Sequence, residues 1–425
     1  GPNSLPFPLF GENATDDINT VVLRAFFTDS FATRTQTGRY SPLDSMYLRD
    51  VWMRETQLAM GHPSAHSSYV HLYINGLYWG LYNPSERPDD AFQAAYLGGN
   101  RDDFDIIKDF NELFHGNRIA WDQMFALTDQ ITAGNANAIY QQLQGNNADG
   151  TRNTALPVLL DIDNLSDFML LHLYGGAEDW PHHNWYAARD RVGETTGFKF
   201  YVWDQEIVLD GRYRDRTEAA DAGSPAELFN KLRASSEFRT RFGDRVQKHL
   251  FDGGALSTAA NQARWMEWAD QIEPAIIAES ARWGDAREGE SIVVDTGDPA
   301  VTVPTLTVNH WRVERDNVHD NYFPQSSSLA LSRFITDGLY PTVAAPVLSQ
   351  LGGLVPAGFA LSIANPDVGS GGTIYYTTDG SDPRAVGGDL SATASVYAGP
   401  ITLLESGTIR ARIRTGTSWS ALVDT

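Results

Sequence analysis

The hydrophobic periodicity of the chain changes between residues 338 and 353, where the segment GLYPTVAAPVLSQLGG concentrates proline and glycine. From residue 224 up to this segment, apolar residues recur mainly at helical spacing. After it, short stretches alternate apolar and polar residues between turn-forming residues. The change of period predicts a domain boundary. We therefore expect one domain at residues 1–340 and a small β-sandwich of immunoglobulin type at 341–425.

The first domain opens with alternating segments that are typical of strands. TVVLRAFFTDSF at 20–31 and GFKFYVWDQEIVL at 197–209 each predict a strand. SYVHLYINGLYWGLYNPSE at 68–86 predicts a β-hairpin, because Asn75 and Gly76 form the preferred two-residue turn.

Helices are predicted between and after these strands. SPLDSMYLRDVWMRETQLAMG at 41–61 has an apolar stripe, and Ser41 is a suitable N-cap. Helical patterns dominate from 224 to 251 and from 310 to 340. A mixed region followed by a helical one predicts an α+β fold, and this order is compatible with a two-lobed catalytic domain.

The composition limits the partners of the chain. Its 425 residues carry a net charge of −22, which opposes binding to nucleic acid or to an anionic membrane. No apolar stretch approaches the length of a membrane span. The absence of cysteine excludes disulfides and thiolate metal sites. The first residues, GPNSLPFPLFG, have no signal-peptide features, so we expect no signal peptide in this sequence.

Two acidic clusters predict a metal site. Asp179 and Asn184 lie five residues apart in DWPHHNWY, where Pro181 prevents a regular helix. Asp204 and Glu206 lie two residues apart on the predicted strand, so their side chains should share one face. Carboxylate and amide oxygens are hard ligands that suit Mg²⁺, Mn²⁺ or Ca²⁺.

Several functions are compatible with these clusters. The D-x-x-x-x-N spacing is that of a protein-kinase catalytic loop, but such pairs are also common turn formers. His182 and His183 raise the possibility of zinc-dependent hydrolysis, although adjacent histidines rarely share a ligand face. Glycoside hydrolysis by two carboxylates also stays open.

Four segments of the first domain follow one another along the chain: YLRDVWMRETQLAMGHPSAHSSYVHLYINGLYWGLYNPSERPD, FDIIKD, DWPHHNWYAARD and FKFYVWDQEIVLD. Together, they resemble the CotH family of spore-coat kinases and their relatives on bacterial and fungal surfaces. The resemblance covers roughly residues 20–340, and it implies an atypical protein-kinase-like fold. It also implies that the chain binds ATP with Mg²⁺, Mn²⁺ or Ca²⁺ and phosphorylates secreted proteins.

The resemblance implies a role for each residue of the two acidic clusters. Asp179 would be the catalytic-loop aspartate and Asn184 its metal-binding partner. Asp204 would be the principal metal ligand, and Glu206 would be a second acid beside it. Lys108 would neutralise the nucleotide phosphates.

Other residues would complete a nucleotide site. Glu86 would pair with Lys108 or contact the nucleotide, although Glu86 comes first along the chain, the reverse of the order in conventional kinases. Tyr78 and Tyr82 would stack on adenine, or they belong to the core of the hairpin. Arg49 and Asp50 are expected to form a structural ion pair.

The C-terminal segments IYYTTDGSDPR and YAGPITLLESGTIRARI resemble the immunoglobulin-like domain at the end of chitobiase-type enzymes. This resemblance implies an exported bacterial protein that is secreted or held at the cell surface. Two other functions stay open. One is a non-catalytic, kinase-shaped protein that binds carbohydrate or protein. The other is a transferase that moves a different group of ATP, such as the adenylyl group.

Overall fold

The computed structural model describes residues 5–34, 41–211, 213–294 and 298–425. Residues 1–4 lie outside the described ranges, and with them the start of the segment GPNSLPFPLFG. None of the helices in the described ranges is long and apolar enough to cross a membrane. The described α-helices are α1 (Arg49–Ala59), α2 (Asp90–Leu97), α3 (Ile119–Thr128), α4 (Ala136–Leu143), α5 (Ile162–Gly175), α6 (Pro225–Leu232), α7 (Ser236–Leu250), α8 (Thr258–Trp283), α9 (Val308–Asn317) and α10 (Phe323–Thr336).

Strands occur on both sides of the predicted boundary, and their bounds are as follows. They are β1 (Leu5–Pro6), β2 (Asp17–Ile18), β3 (Val22–Arg24), β4 (Val70–Ile74), β5 (Leu77–Ser85), β6 (Phe104–Lys108), β7 (Glu112–His115), β8 (Trp185–Asp190), β9 (Lys199–Val202), β10 (Ser291–Ile292), β11 (Val301–Thr302), β12 (Val347–Leu348), β13 (Phe359–Leu361), β14 (Ile363–Ala364), β15 (Thr373–Thr377), β16 (Ser395–Val396), β17 (Ile401–Leu403), β18 (Arg410–Thr415), β19 (Ser418–Trp419) and β20 (Val423–Asp424). The α+β class and the strand-rich C-terminal region, consistent with a β-sandwich, are confirmed.

A three-stranded sheet with the order β3-β5-β4 contains the predicted hairpin. Asn75 and Gly76 have φ angles of 51° and 80°, as the mirror-image hairpin turn requires, so this prediction is confirmed. The hairpin packs on α8 through Glu279, which accepts hydrogen bonds from the Tyr78 hydroxyl at 2.7 Å and the Leu81 amide at 2.5 Å.

A four-stranded antiparallel sheet with the order β7-β6-β8-β9 carries both segments of the candidate site. Lys108, at the end of β6, pairs with Tyr186 of β8, and Trp185 pairs with Val202 of β9. One face of the sheet is covered by α2. The buried side chains of this core are Phe92, Phe104, Ile106, Tyr186, Ala188 and Tyr201.

Several predicted elements have different bounds from those expected. The strand predicted at 20–31 forms only at Val22–Arg24. The strand predicted at 197–209 ends at Val202, so Asp204 and Glu206 follow the strand and do not lie on one pleated face. The helix predicted from Ser41 is interrupted, and α1 begins only at Arg49. Tertiary contacts fix the start of α1, because the carboxylate of Asp29 accepts the backbone N–H groups of Met46, Leu48 and Arg49, at 2.7–3.2 Å.

The described chain divides into two compact units. One contains residues 1–125, 159–229 and 258–328, and the other contains residues 126–158, 230–257 and 329–425. All the candidate site residues belong to the first unit. In the second unit, helix α7 packs with the C-terminal strands, whose buried residues are Leu348, Leu361, Ile363, Ile409, Ala411 and Val423.

Candidate active site

The loop before β8 brings Asp179 and Asn184 together. Asn184 has a φ angle of 69°, a left-handed conformation that asparagine tolerates better than most residues. Its side-chain amide donates to the Asp179 carbonyl at 2.8 Å and to Asp179 Oδ2 at 3.4 Å. Asp109, directly after β6, accepts the Asn184 N–H at 2.7 Å and so fixes the loop to the sheet.

The segment after β9 joins this loop to helix α1. Asp204 also has a positive φ, 55°, which turns the chain away from the sheet. The backbone N–H of Gln205 donates to Asp50 Oδ1 at 2.7 Å. The Gln205 side chain donates to the Asn184 carbonyl at 3.0 Å. Gln205 therefore holds the segment of Asp204 and Glu206 against the Asp179–Asn184 loop.

Arg24 is a buried cation at this site that the sequence analysis did not single out. From β3 its guanidinium contacts Asp204 and lies 3.1 Å from Glu206 Oε1, and its Nε lies 3.4 Å from Asp50 Oδ2. Burial lowers the pKa of Arg24, but these carboxylates outweigh it and raise the pKa above its usual range. The guanidinium thus stays charged and contacts acids from two segments, helix α1 and the segment after β9.

Glu206 lies at the buried end of this group. Its Oε2 accepts hydrogen bonds from the N–H and the hydroxyl of Thr28, both at 2.8 Å. Burial raises the pKa of Glu206 to about 7, with a further increase from the neighbouring Asp204 and an opposing effect of Arg24. Asp204 is more accessible, with 45% of its side chain exposed, so it is the better placed of the two for a ligand from solvent.

Arg49 and Asp50 do not form the ion pair that was expected between them. They point to different partners because adjacent helical residues face different directions. Arg49 contacts Asp29 at 2.6 Å and Glu314 at 3.1 Å. Asp50 instead contacts Arg54 and Arg24, and these cations lower its pKa although burial opposes them.

Lys108 and Glu86 have separate partners. Lys108 Nζ lies 3.5 Å from Asp109 Oδ2 and 3.9 Å from Glu112 Oε2. Glu86 accepts hydrogen bonds from the His66 backbone N–H at 2.9 Å and from the Tyr96 hydroxyl at 2.7 Å. Lys108 therefore reaches the Asp179–Asn184 loop through Asp109, whereas the contacts of Glu86 link β5 to α2.

The aromatic residues of β5 are engaged in packing to different degrees. Tyr78 donates to Glu279, as described above, and its ring is half-buried. Trp79 packs edge-on against Trp283 of α8, with ring centroids 5.9 Å apart. Tyr82 is also half-buried. These contacts give Tyr78 a place in the packing of the hairpin on α8.

A cavity of about 390 Å³ adjoins the site and shares Glu206 with it. Its charged lining residues are mostly acidic, and Arg49 is the cation among those described. The remaining charged lining residues are Asp44, Asp210, Asp298 and Glu314. Burial raises the pKa of Glu314 to about 7, against the opposing effect of Arg49.

The model of one protein family, described as CotH kinase protein, matches residues 40–318, which is more than half of the chain. The chain belongs to the CotH kinase family. This result confirms the resemblance on which the site residues were assigned, and it supports a kinase-like protein. The matched range contains Asp179, Asn184, Asp204 and Lys108, whereas Arg24 lies before it.

A second family model, described as Fn3 associated, matches residues 364–422. It covers most of the C-terminal strands and agrees with the expected immunoglobulin-like region. No curated protein matches the chain.

Proposed function

We propose that this member of the CotH kinase family is an ATP- and divalent-metal-dependent kinase that phosphorylates secreted or surface proteins. The observation that carries the proposal is the hydrogen bond from Gln205 to the Asn184 carbonyl at 3.0 Å. It brings the segment of Asp204 against the Asp179–Asn184 loop. Phosphoryl transfer needs these two parts together, one to bind the metal and one to position the acceptor.

The donor atoms of the site suit a hard divalent cation. Asp204 offers an accessible carboxylate, and the Asn184 amide donates through its nitrogen to Asp179, which leaves its oxygen as the atom to bind a metal. Glu206 would act as a second, buried acid. Oxygen donors of this kind favour Mg²⁺ or Mn²⁺, and Ca²⁺ is compatible. The bound ion would neutralise charge on the phosphates.

The remaining roles follow from charge and position. Asp179 would accept a hydrogen bond from the hydroxyl of the acceptor protein and orient it. Arg24 and Lys108 would face the phosphates, Arg24 by exchanging its contact with Asp204 for one with phosphate oxygen. Guanidinium binds carboxylate and phosphate through the same paired donors, so the exchange preserves its hydrogen bonding.

The proposal keeps three further residues on the nucleotide side of the site: Glu86, Tyr78 and Tyr82. Glu86 is buried among His66 and Tyr96, so its role would be to hold β5 rather than to touch phosphate. Of the two tyrosines, Tyr78 would have to give up its hydrogen bond to Glu279 to stack on adenine.

A non-catalytic surface-binding protein is the second candidate. It is favoured by the contacts of Arg24, because this internal cation already forms ion pairs with both Asp204 and Glu206, the proposed metal ligands. Such a protein would keep the kinase-like fold and bind carbohydrate or protein. Both matched families are consistent with an extracellular or surface location, and we infer that location for either candidate.

Transfer from ATP labelled at the γ-phosphate tests the proposal, with the chain itself and general protein acceptors such as casein. Asp179→Asn should lower turnover by about 10²–10⁴-fold, the range for loss of a positioned general base. Exposed Asp122 provides the control, and Asp122→Asn should leave turnover unchanged. Intact mass distinguishes phosphoryl from adenylyl transfer. If the wild-type protein transfers neither group, the surface-binding candidate replaces the kinase.

A further inference from the structure

We propose that Asp179, His182 and His183 form a Zn²⁺-binding site. One donor atom from each residue lies within 4.8 Å of the other two. His183 Nε2 is 3.4 Å from Asp179 Oδ1. Tetrahedral zinc with bonds of about 2.0–2.1 Å places its ligand atoms about 3.4 Å apart, so this pair already has the separation of two zinc ligands.

The loop conformation allows two adjacent histidines to share a ligand face. In a regular strand their side chains would point to opposite sides. Here the loop contains Pro181, and the imidazole rings of His182 and His183 have centroids only 3.9 Å apart. The ring of Phe110 lies beside both, at 5.7 Å and 5.3 Å. The Phe110 N–H also donates to the His182 carbonyl at 2.7 Å, which fixes the backbone at the first histidine.

The donor set differs in kind from that of Asn184 and Asp204. Imidazole nitrogen favours zinc and other borderline cations, whereas carboxylate and amide oxygens favour Mg²⁺. Three protein ligands complete only part of a tetrahedral shell, so solvent or a substrate would take the fourth position. The two metals would therefore occupy neighbouring sites with different preferences.

Asp179 belongs to both arrangements, which predicts a regulatory effect. Zinc bound at Asp179 Oδ1 would occupy one carboxylate oxygen and draw negative charge from the other, so Asp179 would become a weaker hydrogen-bond acceptor for the acceptor hydroxyl. Zn²⁺ would therefore inhibit transfer even when Mg²⁺ and ATP are bound. This consequence rests on the proposed kinase function, but the zinc site itself does not.

Calorimetric titration of the full chain with Zn²⁺ alone, without nucleotide and without an affinity tag, tests the site. His182→Ala and His183→Ala should each weaken binding by about ten-fold or more, since even the loss of residues behind the ligands has effects of that size. His319 is the matched control. Its Nδ1 lies 2.6 Å from Asp320, and His319→Ala should leave Zn²⁺ affinity unchanged.

Equal Zn²⁺ affinity of the wild-type protein and the His182→Ala/His183→Ala double variant would overturn the site. Where transfer is measurable, Zn²⁺ should inhibit the wild-type protein but not the double variant. The ratio of turnover without Zn²⁺ to turnover with Zn²⁺ should therefore be close to one in the double variant. A wild-type protein without transfer activity contradicts the proposed function, but the calorimetric titration still decides the zinc site. The two proposals therefore fail separately.

Discussion

Arg24 Nε lies 3.4 Å from Asp50 Oδ2, and both side chains are buried. Arg24 lies on strand β3 and Asp50 on helix α1, which follows it along the chain. Conventional kinases use the same order, with a strand lysine that precedes its helix glutamate. We propose that Arg24 is a phosphate-facing cation and that Asp50 holds it in place. This pair would take the role that the resemblance assigned to Lys108 with Glu86.

Arg24→Gln should destabilise the protein, because Asp50, Asp204 and Glu206 would lose a shared counter-charge. Loss of one partner from a buried ion pair costs on the order of 3–5 kcal/mol of unfolding free energy. Urea denaturation measures this, with Arg101→Gln as the control, since the Arg101 side chain is 47% exposed.

The same variant tests whether a metal and Arg24 compete for the carboxylates. Added Mg²⁺ should stabilise Arg24→Gln more than it stabilises the wild-type protein, because the cation replaces the missing guanidinium. Unchanged stability of Arg24→Gln, with or without Mg²⁺, would contradict the role of Arg24 as the local counter-charge.

Local sequence signals were sufficient where the structure is determined by neighbouring residues. The hairpin follows from the Asn75-Gly76 turn between alternating residues. The division at residues 340 and 341 stays a prediction. The family could also be predicted from the sequence, because the resemblance depended on short motifs in a fixed order.

The site was only partly predictable because its remaining partners are distant along the chain. Arg24 is separated from Asp204 by 180 residues and from Glu206 by 182, so no local pattern indicates their contact. The end of β9 at Val202 also depends on a residue that is distant along the chain. The N–H of Gln205 donates to Asp50 instead of continuing the strand. Sequence order alone would have favoured Arg24 and Asp50 as a cation–acid pair.

Asp204→Asn should reduce the stabilisation of the protein by ATP with Mg²⁺. A ligand that binds only the folded state raises the melting temperature, and this variant removes the accessible carboxylate of the metal site. Differential scanning fluorimetry with Mg²⁺, Mn²⁺ and Ca²⁺ in separate titrations measures the shift. Asp316→Asn, at an exposed aspartate, is the control. An equal ATP shift of the wild-type protein in chelator and in Mg²⁺ would argue against a metal–nucleotide site.

Arg412→Met should destabilise the second compact unit. The Arg412 guanidinium donates to both carboxylate oxygens of Asp244, at 2.8 Å and 2.6 Å, and to Asp382 at 2.6 Å, and its side chain is only 1% exposed. We expect a loss on the order of 3–5 kcal/mol. Arg410→Met is the control on the same strand, because Arg410 is only half-buried and its ion pair with Asp424 is long, at 3.9 Å.

A chain truncated after Tyr340 tests the predicted boundary with the same readout. Helix α7 would lose the partners of Asp244 and also those of Glu237, which Arg384 contacts through two hydrogen bonds of 2.8 Å. The truncated chain should therefore be less stable than the full chain, by at least as much as Arg412→Met. Equal stability of the truncated and full chains would show that these buried pairs contribute little to α7.

Glu314→Gln should remove a pH-dependent loss of stability. Burial raises the pKa of Glu314 to about 7, from its usual value of 4.5, and Asp44 and Asp29 add to the increase whereas Arg49 opposes it. Because the folded state holds this proton more tightly than the unfolded state, the wild-type protein loses stability relative to the variant as the pH rises from 4.5 to about 7. The relative loss is at most about 3 kcal/mol. Urea denaturation of both proteins between these pH values, with exposed Glu405→Gln as the control, measures it. A difference between wild-type and Glu314→Gln that stays constant over this range would mean that Glu314 ionises as readily in the folded chain as in the unfolded one.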